Sequence, residues 1–470
     1  MRARKQLQAL HAGRATQAGT PNDEMDTALR DSRQAISMLD ITYNFPSELL
    51  SSIFEFACSD VSEGVFSLNK RKPMDPLRQV RASIASTCSR WREIVLTSPR
   101  LWSNIALHIS PNISFPKCLE IISLEVSRSG ACLLTLRIDV SFSSTSSDWD
   151  GWELSNTSSS SSSDWTNLRS LFTSVSSRIE VHRFESWSSI NPSGMHPLGF
   201  VLDPAARFPN MRIFHYQNSP SQSEPILIDL RRIPHVQVLE IYDSVSVPIQ
   251  FRLPPSLEVR RCHLGGGNVP GVFDMLALTR NTLEILRLDA YVPSTTLTSK
   301  IVFPRLREFL WSGNLPQLTM QNMVAPALEY LNFESLGWDR SPDRSGLSDV
   351  RTVVVDYMER TCIQRFFDLH PKIQRLSVNE WSVQSIVTIW KDSPLQILAD
   401  LQVFHVVDAY NLDEDTFYEI LAINRQRSRP FVLEVDSIDE SLDSICQDFG
   451  PFLCIADRYP AWRNMSQSAI

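Results

Sequence analysis

The sequence predicts an α+β protein of several domains, in which a helical N-terminal domain precedes an α/β solenoid with parallel strands on its concave face. Two observations predict this fold class. Large apolar residues recur at helical spacing before residue 105, and short apolar triplets recur about every 23 residues after residue 208. Of the 470 residues, 43% are hydrophobic and 21% are charged, which is the composition of an ordinary globular protein.

Two short segments come before the helical domain. Residues 1–22 are basic and have no apolar core, so we expect a disordered lead. Residues 23–40 are expected to form a short heptad-like helix, because their apolar residues follow one helix stripe. These apolar residues are Met25, Leu29, Ile36 and Leu39.

Residues 41–105 are predicted to form a helical domain. Pro46 suits the first turn of a helix, and a broad apolar face follows it. A second helical run carries Trp91 and Ile94 on one face, and Leu101 and Trp102 come directly after it. Three short helices cannot bury this much apolar surface alone, which indicates a docking surface or a seam to the next domain.

Three motifs within this domain resemble those of an F-box. They are Phe-Pro-x-Glu-Leu-Leu-x-x-Ile-Phe from residue 45, Cys-Ser-Arg-Trp-Arg-Glu-Ile from residue 88 and Ser-Pro-x-Leu-Trp from residue 98. The chain is similar to the F-box-like proteins of fungi, which carry leucine-rich repeats after the box. The resemblance implies that a Skp-type adaptor contacts this domain. The residues that it assigns to this contact are Phe45, Pro46, Leu49, Leu50, Ile53, Phe54, Trp91, Ile94, Leu101 and Trp102.

The composition changes after the helical domain. Residues 106–140 are expected to connect it to the solenoid. Residues 141–164 are rich in serine, low in aliphatic residues and interspersed with aspartate, so we expect a disordered loop.

Residues 165–440 are predicted to form a leucine-rich-repeat-like solenoid, and residues 441–470 a cap or a tail. The period of about 23 residues lies within the range of leucine-rich repeats. An earlier copy is expected at Leu168 or Ile179, and a later one at Leu401. Residues 413–427 are predicted to be a helix and residues 431–435 a last strand. The first residues of the triplets are Met211, Val236, Leu257, Leu283, Leu306, Leu328, Val350 and Ile373.

The copy at Leu257 is the weakest of the triplets. Arg260 and Arg261 stand where this copy should have aliphatic residues. We therefore expect the most distorted strand of the sheet there.

The polar residues between the triplet positions are expected to face outward, because side chains alternate along a strand. They form a candidate target-binding face, although an ordinary solvated residue is the expected interpretation of any one of them taken alone. Their charges are mixed, so no single class of charged ligand is indicated. The candidate residues are His215, Glu240, Arg287, Glu308, Asn332 and Arg375.

Signals of catalysis and of cofactors are weak. The chain has 15 glycines, and no Lys-Ser or Lys-Thr follows the run at Gly265, so we predict no phosphate-binding loop. The nine histidines form no zinc-binding pair, and the eight cysteines form no Cys-x-x-Cys motif. We therefore expect neither an enzyme nor a bound cofactor or metal.

Charge and hydropathy limit the partners and the location. A net charge of −8 argues against a nucleic-acid partner, and no stretch of apolar residues is long enough to predict a membrane span. We expect a cytoplasmic or nuclear protein, or one present in both compartments.

The resemblance implies a substrate-recognition subunit of an SCF-type cullin–RING ubiquitin ligase. The F-box would bind the Skp-type adaptor, and through it the cullin and the RING protein, while the solenoid binds an unidentified target protein. The alternative function is a non-ligase leucine-rich-repeat scaffold with a divergent F-box. A third interpretation is an enzyme with a site in the concave face. The observation that discriminates between the first two is whether certain side chains are exposed or are buried against residues after Ser110. These side chains are Leu49, Ile53, Phe54 and Trp102.

Overall fold

The computed structural model divides the chain into two compact units, Met1–Leu101 and Trp102–Ile470. The expected lead and, except for Arg30, the expected heptad-like helix lie outside the described residues. The residues that the structure describes are 30, 45–64, 76–109, 115–140, 161–186, 206–218, 226–243, 249–266, 271–290, 299–314, 322–336, 347, 350–358, 360–392, 398–407, 409, 412–435 and 452–455.

The described part of the first unit is helical, as the sequence predicts. Its helices are α1 (Ser47–Gly64), α2 (Pro76–Ala85) and α3 (Ser89–Thr97). The carbonyl of Pro46 accepts hydrogen bonds from the amides of Leu49 and Leu50, each at 3.1 Å, and so closes the first turn of α1. Cys88 caps α3, because its Sγ accepts from the amide of Trp91 at 3.4 Å. A short 3-10 turn, Pro99–Trp102, follows α3.

The second unit is mixed helix and strand. Its helices, in chain order, are α4 (Phe115–Arg128), α5 (Ser161–Val175), α6 (Val272–Thr279), α7 (Arg360–Leu369), α8 (Glu380–Asp392) and α9 (Glu414–Gln426). Its strands are β1 (Asn104–Ile109), β2 (Leu134–Val140), β3 (Ile179–Ser186), β4 (Ile213–Asn218), β5 (Ile226–Asp229), β6 (Val238–Asp243), β7 (Ile249–Arg252), β8 (Arg261–Gly266), β9 (Ile285–Ala290), β10 (Ile301–Val302), β11 (Glu308–Asn314), β12 (Met323–Val324), β13 (Tyr330–Leu336), β14 (Thr352–Met358), β15 (Arg375–Asn379), β16 (Val403–Val407), β17 (Val432–Val435) and β18 (Leu453–Ile455).

One large parallel sheet dominates this unit. Within the described residues it has fourteen strands, which follow one another in chain order from β1 to β18. The remaining four strands form two small parallel pairs, β5 with β7 and β10 with β12. Each strand of the large sheet pairs in parallel with the one before it, so equivalent residues of successive copies form rows across the sheet.

The apolar triplets form the core on one face of the sheet. Phe214 aligns with Leu239, Cys262 and Leu286 on the next three strands, and all four are buried. Stacked copies thus share one continuous core, which no single copy could bury alone. Helix α8 adds the buried Trp390 to this core. The ring centroid of Trp390 lies 5.0 Å from that of Phe404 in β16.

The prediction that the strand at Leu257 is the most distorted one of the sheet is wrong. The triplet of this copy is Val259, Cys262 and Leu264, which starts two residues later and is buried throughout. β8 pairs with β6 and with β9 without a register shift. Arg261 begins the strand at an outward position, and so it does not interrupt the core.

Several expected boundaries change. The sheet begins with β1, so the second unit starts within the expected helical domain, and the expected connector 106–140 contributes α4 and β2. Helix α5 includes the last four residues of the expected loop 141–164, whose other residues lie outside the described part. β18 extends the sheet into the expected tail. The expected early copy corresponds to Ile179 in β3, because Leu168 lies in α5.

The helix and strand expected near the C-terminal end are confirmed as α9 and β17. Asp413 caps α9, because its Oδ1 accepts from the amide of Thr416 at 2.7 Å. None of the helices among the described residues is long and apolar enough to cross a membrane.

Candidate interaction surfaces

An apolar stripe is exposed along α1. Leu49, Ile53 and Phe56 lie at the i, i+4, i+7 positions of one helix face, and their side chains are 44%, 47% and 72% exposed. Residues at this spacing are neighbours on a helix surface. Leu96 of α3 is exposed as well. We call Leu49, Ile53 and Phe56 the α1 stripe.

The other face of α1 belongs to the core of the first unit. Leu50, Phe54 and Cys58 are buried, and the ring centroids of Phe54 and Trp91 are 5.0 Å apart. Burial raises the pKa of the Cys58 thiol, and the nearby Arg81 opposes this shift. The Oγ atoms of Ser51 and Ser98 lie within hydrogen-bond distance at 3.0 Å. The apolar face is therefore divided between a buried side and an exposed side.

The ten residues assigned to the adaptor contact differ in their exposure. Leu49, Ile53 and Pro46 are exposed, whereas Phe45 and Trp91 are half-buried. The other five residues were expected to contact the adaptor, and this expectation is corrected. A side chain that is buried within its own fold cannot contact a partner unless the protein unfolds. These five are Leu50, Phe54, Ile94, Leu101 and Trp102. The sequence interpretation missed Phe56 and Leu96, although Phe56 stands three residues after Ile53.

Trp102 belongs to the second unit. The guanidinium carbon of Arg128, on α4, lies 4.4 Å from the centre of its ring, and the side chain is buried. A cation above an indole ring is favourable. Trp102 therefore has a structural role at the start of this unit.

The outward face of the sheet carries two rows of polar residues. The central row runs across β2, β3, β4, β6, β8 and β9, and the second row stands two residues later on the same strands. The central row consists of Arg137, Arg183, His215, Glu240, His263 and Arg287. The second row consists of Asp139, Glu185, Gln217, Tyr242, Gly265 and Asp289.

His215 lies between two carboxylates. Its Nδ1 is 2.7 Å from Oε2 of Glu240, and its Nε2 is 3.8 Å from Oε1 of Glu185. Burial raises the pKa of Glu240, but the hydrogen bond and the charge of His215 outweigh it, so the pKa lies below its usual value. Burial raises the pKa of Glu185, and His215 only partly offsets this. The carboxylate of Glu240 is therefore held in its charged form.

His263 joins Tyr242 to Asp289. Its Nε2 lies 2.5 Å from Oδ2 of Asp289, and its Nδ1 bonds the hydroxyl of Tyr242. Burial lowers the pKa of His263, against the opposing effect of Asp289. A neutral ring satisfies both contacts, because Nε2 donates to the carboxylate while Nδ1 accepts from the tyrosine. Burial raises the pKa of Tyr242, which keeps this hydroxyl protonated.

Gly265 makes room for the ring of Tyr242. A Cβ atom at Gly265 would lie 2.8 Å from Cδ1 of Tyr242, closer than the two carbons can approach. Because Gly265 has no side chain, the ring of Tyr242 can lie across β8 and reach His263. The sequence interpretation considered Gly265 only as part of a phosphate-binding loop, which it did not predict.

All six predicted face residues lie at outward strand positions. Glu240 is buried against His215, which corrects its expected role as a presented residue. Glu308 is partly buried, and burial raises its pKa. Arg287, Asn332 and Arg375 are also partly buried. Beyond β9 the outward face also carries a small buried apolar cluster, formed by Leu310, Tyr330 and Val354.

Tyr242, His263, Asp289 and Glu185 were missed by the sequence interpretation. Tyr242 stands two residues after Glu240, so strand alternation could have placed it on the same face. His263 was missed because the copy at Leu257 was assigned two residues too early.

The described residues contain no group of three or more His, Cys, Asp or Glu side chains that could hold a metal ion. No family model matches the sequence, and no curated protein matches it either. The two surfaces and the parallel sheet are therefore the basis on which a function is assigned.

Proposed function

We propose that this chain is the substrate-recognition subunit of an SCF-type cullin–RING ubiquitin ligase. Its helical unit is an F-box that binds a Skp-type adaptor, and through it the cullin and the RING protein. Its second unit is a leucine-rich-repeat solenoid that binds a target protein. The chain itself is not an enzyme. It acts in the cytoplasm or the nucleus by holding the target near the ubiquitin-carrying subunit.

The exposed α1 stripe is the observation that carries this proposal. The stripe lies within the first of the three motifs that resemble an F-box. Leu49, Ile53 and Phe56 present contiguous apolar area on a helix, which is typical of helix-based protein contacts. The buried side of α1 anchors the same helix through Phe54, so the stripe is presented on a packed scaffold.

The repeat pattern supports the second half of the proposal. From β4 to β15, the parallel strands of the large sheet follow in chain order at a mean step of about 23 residues, which is the arrangement expected of leucine-rich repeats. Such stacked copies offer an extended binding surface rather than a pocket. The polar rows on the outward face are the candidate surface for the target.

The rival function is a scaffold that binds no ligase. The burial of Trp102 beside Arg128 favours this alternative, because Arg128 follows Ser110 in the chain. Phe54 is instead buried within the first unit, against Trp91. The remaining exposed residues decide between the two functions.

Co-purification tests the proposal. The full chain, expressed with an affinity tag in a eukaryotic host, should retain a Skp-type adaptor and a cullin, identified by mass spectrometry. The Ile53→Asp/Phe56→Asp variant should lose both. A Leu133→Asp/Leu227→Asp variant is the control, since these two leucines are 45% and 43% exposed outside the first unit. Equal retention of the adaptor by the stripe variant would refute the ligase function, provided that the variant remains folded.

A further inference from the structure

We infer that Tyr242 and the carboxylates around it form a site on the outward face of the sheet that binds an arginine side chain of a protein partner. This inference rests on the proposed function only in that it assigns the sheet face to the target. It adds the chemical class of the group that the target presents.

The aromatic ring of this site is preorganised. Tyr242 lies against Gly265, where any side chain would collide with Cδ1 of the ring. Its hydroxyl bonds His263, which in turn bonds Asp289 at 2.5 Å. The ring centroids of Tyr242 and His263 are 4.1 Å apart, in an edge-to-face arrangement. A ring fixed in this way loses little conformational freedom when a ligand binds.

The charges around the ring favour a cation. The carboxylates of Glu240 and Asp289 lie close enough that their charges raise the pKa of Tyr242, in addition to the larger effect of burial. Glu185 is a third carboxylate on the same face, two strands from Tyr242. Arg287 acts in the opposite direction and bonds the tyrosine. Across the two rows, four carboxylates outnumber three guanidinium groups: Asp139, Glu185, Glu240 and Asp289 against Arg137, Arg183 and Arg287.

Asp289 offers a direct contact for the ligand. Its side chain is 34% exposed, and Oδ2 is engaged with His263. The other carboxylate oxygen, Oδ1, can accept from a partner. A cation above Tyr242 would then contact both an aromatic ring and a carboxylate.

Arginine fits this combination better than lysine does. Its planar guanidinium stacks on an aromatic ring and donates several parallel hydrogen bonds. A lysine ammonium gains the charge interaction but does not stack. An acidic side chain would be repelled by Glu240 and Asp289.

The site can be tested with small probes on the full chain labelled with 13C-tyrosine. Ethylguanidinium chloride represents the arginine side chain, n-butylammonium chloride represents lysine, and sodium chloride at equal ionic strength controls for screening. Loss of one resonance in the Tyr242→Phe variant assigns the Tyr242 signal. We expect ethylguanidinium to shift this signal saturably at millimolar concentration, and butylammonium to bind several-fold more weakly. A shift of the same size with sodium chloride, or no saturable shift, would overturn the site.

Two variants separate the site from non-specific binding. Asp289→Asn should weaken ethylguanidinium binding about fivefold, because a charge-assisted hydrogen bond is lost. The matched control is Asp415→Asn at an exposed position of α9, which should leave binding unchanged. Gly265→Ala should displace the ring and reduce binding without altering any charge. Unchanged binding in Asp289→Asn would contradict the inference. Because adaptor retention does not involve Tyr242, either proposal can fail without the other.

Discussion

Two histidines lie inside the core of the second unit. The ring of His182 stacks on Phe214 with centroids 5.8 Å apart, and that of His370 lies 4.6 Å from Phe366. Burial lowers the pKa of His182 to about 3, helped by the charge of His215, and burial lowers the pKa of His370 to about 4. Both rings are therefore neutral in the folded protein.

These pKa shifts predict acid sensitivity. The unfolded chain binds protons at these histidines below a pKa of about 6.5, whereas the folded chain does not, so stability is complete above that pH and is lost as the pH falls. Each histidine should contribute a loss of about 2 kcal/mol between pH 7 and pH 5. Urea unfolding of His182→Phe should show a pH dependence smaller by that amount, whereas the exposed His235→Gln should behave like the wild type. An unchanged pH dependence in His182→Phe would contradict the assigned protonation state.

Helices and strands were predictable wherever a regular apolar spacing marks them. The triplets of β4, β6 and β9 identify their strands, because the repeat period and the alternation of side chains are both visible in the local sequence. β8 was misplaced because Val259 and Leu257 are both apolar, and only pairing with the neighbouring strands distinguishes them. β3 was ambiguous because His182 occupies a core position. The network around Tyr242 depends on register across three strands, which no local pattern encodes.

Mutations on the two faces of α1 should reduce stability by very different amounts. Phe54→Ala should destabilise the first unit by about 3 kcal/mol, because it leaves a cavity beside Trp91. Ile53→Ala and Phe56→Ala should each cost less than about 0.5 kcal/mol, since both side chains are exposed. Hydrogen exchange of the α1 amides, followed by mass spectrometry, measures the difference. A large loss of protection in Phe56→Ala would place this residue in the core.

At the scale of the whole molecule, the sheet continues from β1 to β18 across segments of different composition. The serine-rich residues 141–160 lie between β2 and α5 and outside the described residues. Since loop closure depends only weakly on length, deleting them should leave the melting temperature of the chain nearly unchanged. Calorimetry of the deletion variant checks this expectation. A marked decrease would show that Trp149 or Trp152 packs into the core.

The affinity of the full chain for a purified Skp-type adaptor tests the proposed function most directly. Isothermal titration calorimetry should show one adaptor bound per chain. The Ile53→Ala/Phe56→Ala variant should bind at least about 30-fold more weakly, because truncating two central apolar contacts typically costs 2 kcal/mol or more. Leu133→Ala/Leu227→Ala should bind like the wild type. No measurable binding by the folded wild-type chain, or equal affinity in the stripe variant, would contradict the assignment as an F-box subunit.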